Sequence, residues 1–287
     1  MSDRLPGVRS FPLERGLHPG VDALEYHQWP GASQSRLKIL RDQSPAHLRW
    51  SMDHREEPTD AMRLGAAFHT CVLEPARFPA LYLRAPEGDG RTKAVKDALA
   101  ALQLQHPAAT FLKPREYDTC LAMRDAVAAH PSARVLLDGE HEASAVWADP
   151  ETGVLCRGRF DAVGRGIGAI TDLKSAADAS PHRFPLAAYK LGYHIQASHY
   201  LSGASALGIE ADSFGMVVVE KEPPYAVAVY QIHAAALHDG DRERRALLDT
   251  WAVCESSGTW PGYATEIVIL DLPKWAPGQI TERVGDL

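Results

Sequence analysis

Cysteine is scarce and scattered: Cys71, Cys120, Cys156 and Cys254 are the four in 287 residues, and no two form a C-x-x-C pair. That spacing argues against a zinc ribbon or a cysteine-ligated iron–sulfur cluster, and it suits reduced thiols in a cytoplasmic protein. Long apolar runs are missing too, and none approaches the roughly 20 residues of a membrane span. The opening MSDRLPGVRSFPLERG lacks the apolar stretch of a signal peptide. Positive charge is in deficit, with 30 Lys and Arg against 37 Asp and Glu and a net charge of −7. A nucleic-acid partner therefore requires a locally basic groove. The phosphate-binding pattern G-x-x-x-x-G-K-[ST] is absent, which removes the main signal for ATP use.

What remains is an ordinary globular composition, 45% hydrophobic and 23% charged, long enough to bury a substantial core. Residues 1–30 are rich in Pro and Gly without periodicity and read as an arm. SQSRLKILRDQSPAHLRW (33–50) predicts a Ser-capped helix, a break before Pro45 and a second short turn. The next segment predicts a helix capped by Thr59 or Asp60 and ended by Pro75, with Met62, Gly65, His69 and Val72 on one stripe. Residues 92–106 and 114–130 read as two further helices. After Gly139 the pattern turns to strands: EASAVWAD and VLCRGRFDAV around a PETG turn, then GAITDLKS. A long helix from Phe184 to Gly208, two strands about Pro223-Pro224 and a final helix follow, with Asp239-Gly240 as an irregularity near its start. The order predicts an α/β (α+β) core with a central mixed sheet flanked by helices. As a domain plan this gives an arm at 1–30, one domain at 31–275 (helical to 138, core from 139) and a tail at 276–287.

Asp172 and Lys174 of AITDLKS lie two apart in a strand and so share a face. Alone, such a pair is equally well read as an exposed ion pair of little energetic weight. Asp161 ends the polar face Leu155–Arg157–Arg159–Asp161 of the preceding strand. If the two strands pair through GRGIG, two carboxylates and a lysine converge. Close carboxylates repel unless a cation lies between them, and hard oxygen ligands favour Mg²⁺ or Mn²⁺. On the following helix Tyr189, Tyr193, Gln196 and Tyr200 make one stripe. Tyr189 and Tyr193 read as core packing, whereas a buried Gln196 without partners would cost about 1–3 kcal/mol.

Asp161, then DLK at 172–174, then Gln196-x-x-x-Tyr200, together with His69 in LGAAFHTCVLEP, resembles the PD-(D/E)XK nuclease superfamily. The wider wording, SPAHLRW, ADPETGVLCRGRFDAV, TDLKSAADASPHRF and LGYHIQASHY, is similar to the nuclease domain of the exodeoxyribonuclease VIII family of phage and prophage recombination nucleases. The resemblance spans roughly 33–232 and implies a restriction-endonuclease-like core. It implies a Mg²⁺ (or Mn²⁺) site built from Asp161, Asp172, the His69 imidazole and the Leu173 carbonyl, the imidazole tilting the balance toward Mn²⁺. It makes Lys174 the group that positions the water, with Gln196 and Tyr200 holding the lysine and the DNA end. Glu142 corresponds to an acidic residue used by some relatives. On the residues alone His69 reads as an ordinary core histidine, and His194 and His199 as surface or supporting groups. Lys93, Lys96, Lys113 and Arg115 read as a solvated face; Arg157 and Arg159, beside Asp161, read as phosphate clamps.

The implied activity is a metal-dependent, ATP-independent exodeoxyribonuclease on linear duplex DNA. By resemblance it degrades one strand 5′ to 3′ and leaves a 3′ overhang for a single-strand-annealing recombinase, from a closed homo-oligomeric ring, a tetramer in relatives, without a membrane. The alternatives are a non-catalytic DNA-binding or assembly protein on the same fold and a structure-specific endonuclease.

Overall fold

A computed structural model of the chain describes residues 14–54, 57–164 and 166–270. The N-terminal part runs β1 (Gly16–His18), α1 (Ala23–Tyr26), α2 (Gln34–Asp42), α3 (Pro45–Asp53), α4 (Asp60–Leu73) and α5 (Phe78–Leu81). It continues with β2 (Tyr82–Arg84), α6 (Lys93–Gln105), β3 (Thr110–Leu112), α7 (Pro114–Ala129) and α8 (Pro131–Leu136). The core follows as β4 (Gly139–Ala148), β5 (Leu155–Gly164), β6 (Ala169–Ala176), α9 (Phe184–Leu191), α10 (Tyr193–Ala206), β7 (Ser213–Glu220), β8 (Val227–Gln231) and α11 (Ala234–Ser257).

Local chemistry sets these boundaries. Ser33, Ser44 and Thr59 each accept a backbone N–H of the first turn of α2, α3 and α4. Asp149 accepts the Glu151 and Thr152 N–H groups and so closes the PETG turn between β4 and β5. The six-stranded sheet has the order β1-β4-β5-β6-β7-β8. Only β6–β7 is parallel among its pairs, which the α9–α10 crossover permits. The mixed, helix-flanked sheet is the one expected.

Side chains alternate across the sheet into two cores. Trp147, Phe160, Ile170, Phe214 and Met216 pack with Leu37, Leu48, Ala204 and Leu248, beneath α2, α3, α10 and α11. Leu173, Val217 and Val219 pack with Phe68, Cys71, Met123 and Val127, beneath α4 and α7. The site described below lies between these two helical layers.

Three expectations are corrected, and one element is new. The arm is not wholly irregular, because residues 16–18 pair with Ser144–Val146 of β4 and cover the sheet edge. The long helix is two: Gly192, at φ 75°, ends α9 and redirects the chain into α10. Gly240 is no irregularity but a contact point within α11, since a Cβ there would lie 2.2 Å from the His194 carbonyl oxygen. A parallel ribbon, β2 with β3, was not foreseen. The tail at 276–287 lies outside the described residues.

Candidate active site

The β5–β6 ladder is short, pairing Ala162 with Thr171 and Val163 with Ile170. Beyond it the strands part, and Asp161 and Asp172 occupy the fork. The register of the ladder, carried one step on, would set Asp161 directly opposite Asp172. The Leu173 N–H donates to Asp161 Oδ2 at 2.7 Å. Asp161 and Asp172 are 7% and 2% exposed, so both charges are largely withdrawn from water.

From the α4 side, His69 Nδ1 stands 3.6 Å from Asp161 Oδ1 and 3.8 Å from Glu142 Oε1. The stripe holding His69 is not the buried one: Ala67, Phe68 and Cys71 enter the core while Met62 is exposed, which leaves His69 at the cleft margin. Glu142 reaches the cluster by its place in the β4–β5 ladder. His141 pairs with Ala162 and Ala143 with Phe160, so Glu142 lies opposite Asp161, and it sits at φ 52°. Such left-handed backbone at a non-glycine residue is uncommon. Ligand atoms of His69, Glu142 and Asp161 all lie within 4.8 Å of one another. Donors shared by one ion with bonds of about 2.0–2.2 Å stand about 3–4 Å apart, so this nitrogen-and-oxygen set suits a divalent cation.

From the α10 side, Gln196 Nε2 donates to Asp172 Oδ1 at 2.6 Å, and Lys174 Nζ approaches Asp172 Oδ2 at 2.5 Å. Burial pushes the Asp172 carboxyl up to about 6, with Lys174 opposing and the Asp161 charge assisting. Burial acts the same way on Asp161, but His69 and Lys174 overcome it and hold that carboxyl below the usual range. Burial disfavours the charged imidazole of His69, yet the two carboxylates beside it raise its pKa to about 10. Lys174 is likewise raised, its desolvation outweighed by Asp172 and Asp161. The cluster is held together by charge.

Asp161, Asp172, Lys174, His69, Glu142 and Gln196 are thus brought together, with the Leu173 backbone between them. Tyr200 is near but 8% exposed, its ring against Phe160 at 5.1 Å and over Gly158, where a Cβ would meet it at 3.2 Å. Arg157 and Arg159 do not present free clamps to a cleft. Arg157 is 3% exposed, donates to the Tyr26 carbonyl at 2.6 Å and stacks over the Tyr26 ring. Arg159 donates to Glu142 and, at 2.8 Å, to the Val21 carbonyl. Both arginines fasten the N-terminal segment to the sheet. His194 and His199 are buried, at 8% and 0% exposed, rather than on the surface. Tyr189 is exposed on α9, and Tyr193, read as core packing, has its ring 5.2 Å from the Lys174 ammonium. The signal that could have separated them was Gly192, the helix-ending residue between the two tyrosines.

Among the described residues no helix is long and apolar enough to cross a membrane. No curated protein matches the chain. Among solved structures it is similar to one from Eubacterium rectale provisionally designated an exonuclease, with a TM-score of 0.56 and 11% identity over 89% of this chain and 93% of that one. At that identity the likeness speaks for the fold alone. The crystal structure of SSO0001 gives a TM-score of 0.31 at 14% identity over 77% of this chain and 85% of that one, too low to argue from. The model of one family matches residues 33–273, and the two carboxylates and lysine in the β5–β6 fork fall inside that span: the chain belongs to the family described as a PDDEXK-like domain of unknown function (DUF3799).

Proposed function

We propose that this chain is a divalent-metal-dependent DNA exonuclease that hydrolyses linear duplex without ATP. The observation that carries the reading is the meeting of Asp161, Asp172 and Lys174 at the fork, closed by His69 and Glu142 from α4 and β4. The donor set fits Mg²⁺ or Mn²⁺: three carboxylates, one imidazole and the Leu173 carbonyl, with His69, Glu142, Asp161 and Asp172 as the side chains that would hold the ion. When bound, such an ion supplies charge stabilisation at the phosphoryl oxygen and acidifies the attacking water. The chain supplies the rest. Lys174, compact and fully charged, aims the water and offsets charge that develops on the phosphate. Gln196 fixes the rotamer of Asp172, and the Leu173 N–H fixes that of Asp161.

The further particulars rest on the resemblance to exodeoxyribonuclease VIII: 5′-to-3′ polarity, a 3′ overhang passed to a single-strand-annealing recombinase, a closed ring that threads duplex, and a single nuclease domain over 31–275. A ring with a basic channel would reconcile DNA retention with a net charge of −7. The test is cleavage of linear duplex labelled at either end, with Mg²⁺, beside closed circular and end-blocked duplex. Loss of the 5′ label first, with circular and blocked DNA intact, is expected. Cutting of blocked or circular DNA would make the chain an endonuclease, and binding without cutting would make it a DNA-binding protein.

A further inference from the structure

Lys174 ends a flexible four-carbon stem, so an ion pair alone leaves its ammonium poorly aimed. Gln196 and Tyr200, the partners that the resemblance offers, are occupied: Gln196 donates to Asp172, and Tyr200 packs against Phe160 and Phe214. A further group at the ammonium, besides the Asp172 and Asp161 carboxylates, is the Tyr193 ring, its centroid 5.2 Å from Lys174 Nζ. That ring is itself fixed. Its centroid lies 6.2 Å from Phe184, Phe184 stacks on Tyr230 at 5.1 Å and 19°, and the Tyr230 hydroxyl donates to the Ala179 carbonyl at 2.5 Å. The backbone entering Tyr193 is fixed as well. Arg41 donates to the Lys190 carbonyl at 2.9 Å, and its guanidinium fills the space beside Gly192, where a Cβ would lie 2.5 Å from Arg41 Nη1.

We propose that Tyr193 is the positioning residue for Lys174: the face of its ring holds the ammonium in the orientation from which it serves the scissile phosphate. Asp172 cannot do this alone, because a cation bound at the site draws on the same carboxylate. A ring face offers a metal no oxygen, so its hold on the ammonium survives metal binding. The inference rests on the nuclease reading above and assigns to it a residue outside the D…DxK…QxxxY pattern.

The experiment compares Tyr193→Phe, which keeps the ring, with Tyr193→Leu, which removes it. Single-turnover cleavage at saturating enzyme separates chemistry from binding, and DNA affinity is measured in Ca²⁺. Tyr193→Phe should cut at nearly the wild-type rate. Tyr193→Leu should cut about 3–30-fold more slowly, the range that a cation–π contact supports, with unchanged affinity in Ca²⁺. A second readout needs no cleavage: the ε-methylene protons of Lys174, assigned by their loss in Lys174→Ala, should show an upfield ring-current shift in wild type and Tyr193→Phe that disappears in Tyr193→Leu. Should Tyr193→Leu fail to fold, Tyr193→Met replaces it. Equal rates in folded Tyr193→Leu and Tyr193→Phe would overturn the proposal. So would a Tyr193→Phe variant as slow as Tyr193→Leu, since the hydroxyl would then be the acting group. A wild-type chain that cuts no DNA would overturn the nuclease reading and the catalytic role with it, while the proton shift would still report whether the ring holds the lysine.

Discussion

Gln196 of α10 donates its amide to Asp172 of β6 at 2.6 Å, and the two side chains are 4% and 2% exposed. A helix thereby sets the rotamer of a strand carboxylate from the opposite layer. Gln196→Ala leaves a buried carboxylate oxygen without its donor, at a cost of about 1–3 kcal/mol. The expected outcome is a lower urea midpoint and a single-turnover rate reduced about tenfold, milder than loss of the lysine. Gln196→Glu should be worse on both counts, because it sets a second carboxylate against Asp172.

Cation binding can be read without activity. A ligand at 100 times its Kd stabilises the folded state by about 2.7 kcal/mol, so Mn²⁺ should raise the melting temperature of the wild-type chain. Asp161→Asn should abolish that rise and Glu142→Gln should reduce it. Glu222→Gln, at an exposed residue paired with Arg115, should leave it unchanged. A full Mn²⁺ response in Asp161→Asn would move the cation elsewhere.

Acid sensitivity should arise partly from His199. Its ring lies 4.8 Å from the Trp147 ring centroid, Nε2 donates to the Arg157 carbonyl at 3.2 Å, and burial lowers its pKa from 6.5 to about 4. In the window between those values the unfolded chain takes up a proton that the folded chain refuses. Stability is therefore intact above pH 6.5 and falls on acidification, by at most about 1.4 kcal/mol per pH unit, until the folded form also protonates near pH 4. Urea unfolding at pH 7 and pH 5 should show wild type losing more than His199→Gln. Equal losses would remove His199 from the account.

Close approach of α10 and α11 depends on Gly240. A Cβ there would meet the His194 carbonyl at 2.2 Å and Ser198 Oγ at 2.9 Å, while Ser198 already donates to the Leu237 carbonyl at 2.7 Å. Gly240→Ala should cost about 1–3 kcal/mol in urea unfolding, even though alanine is the better helix former.

The candidate site was legible where chemistry sits in local order. Asp161, the Asp172–Lys174 pair and Gln196 stand at spacings that place them, His69 was offered by the resemblance, and the structure gathers them. Other features depend on geometry that spacing does not encode. Glu142, which the resemblance offered, joins the cluster from a strand residue with left-handed backbone. Tyr193 was read as core packing and does pack against the core, but its contact with the Lys174 ammonium was not foreseen. Arg157 and Arg159 read as free cations on a polar face, because the Val21 and Tyr26 carbonyls that take them come from a segment more than 130 residues away that looked structureless. Helices capped by Ser33 and Thr59 were readable, since caps are local, whereas the helix capped by Ser44 was read as a short turn.

The central claim is that Lys174, half-buried against Asp172, does chemistry rather than merely neutralising a carboxylate. Its most direct test is single-turnover cleavage of linear duplex in Mg²⁺ by wild type, Lys174→Ala and Lys174→Arg, with DNA binding measured in Ca²⁺. The account predicts a rate about 10²–10⁴-fold lower in Lys174→Ala, binding nearly unchanged, and no rescue by Lys174→Arg, whose planar guanidinium cannot occupy the place of a compact ammonium. A Lys174→Ala chain that cuts at the wild-type rate would contradict it and leave the Asp172–Lys174 pair as a structural ion pair.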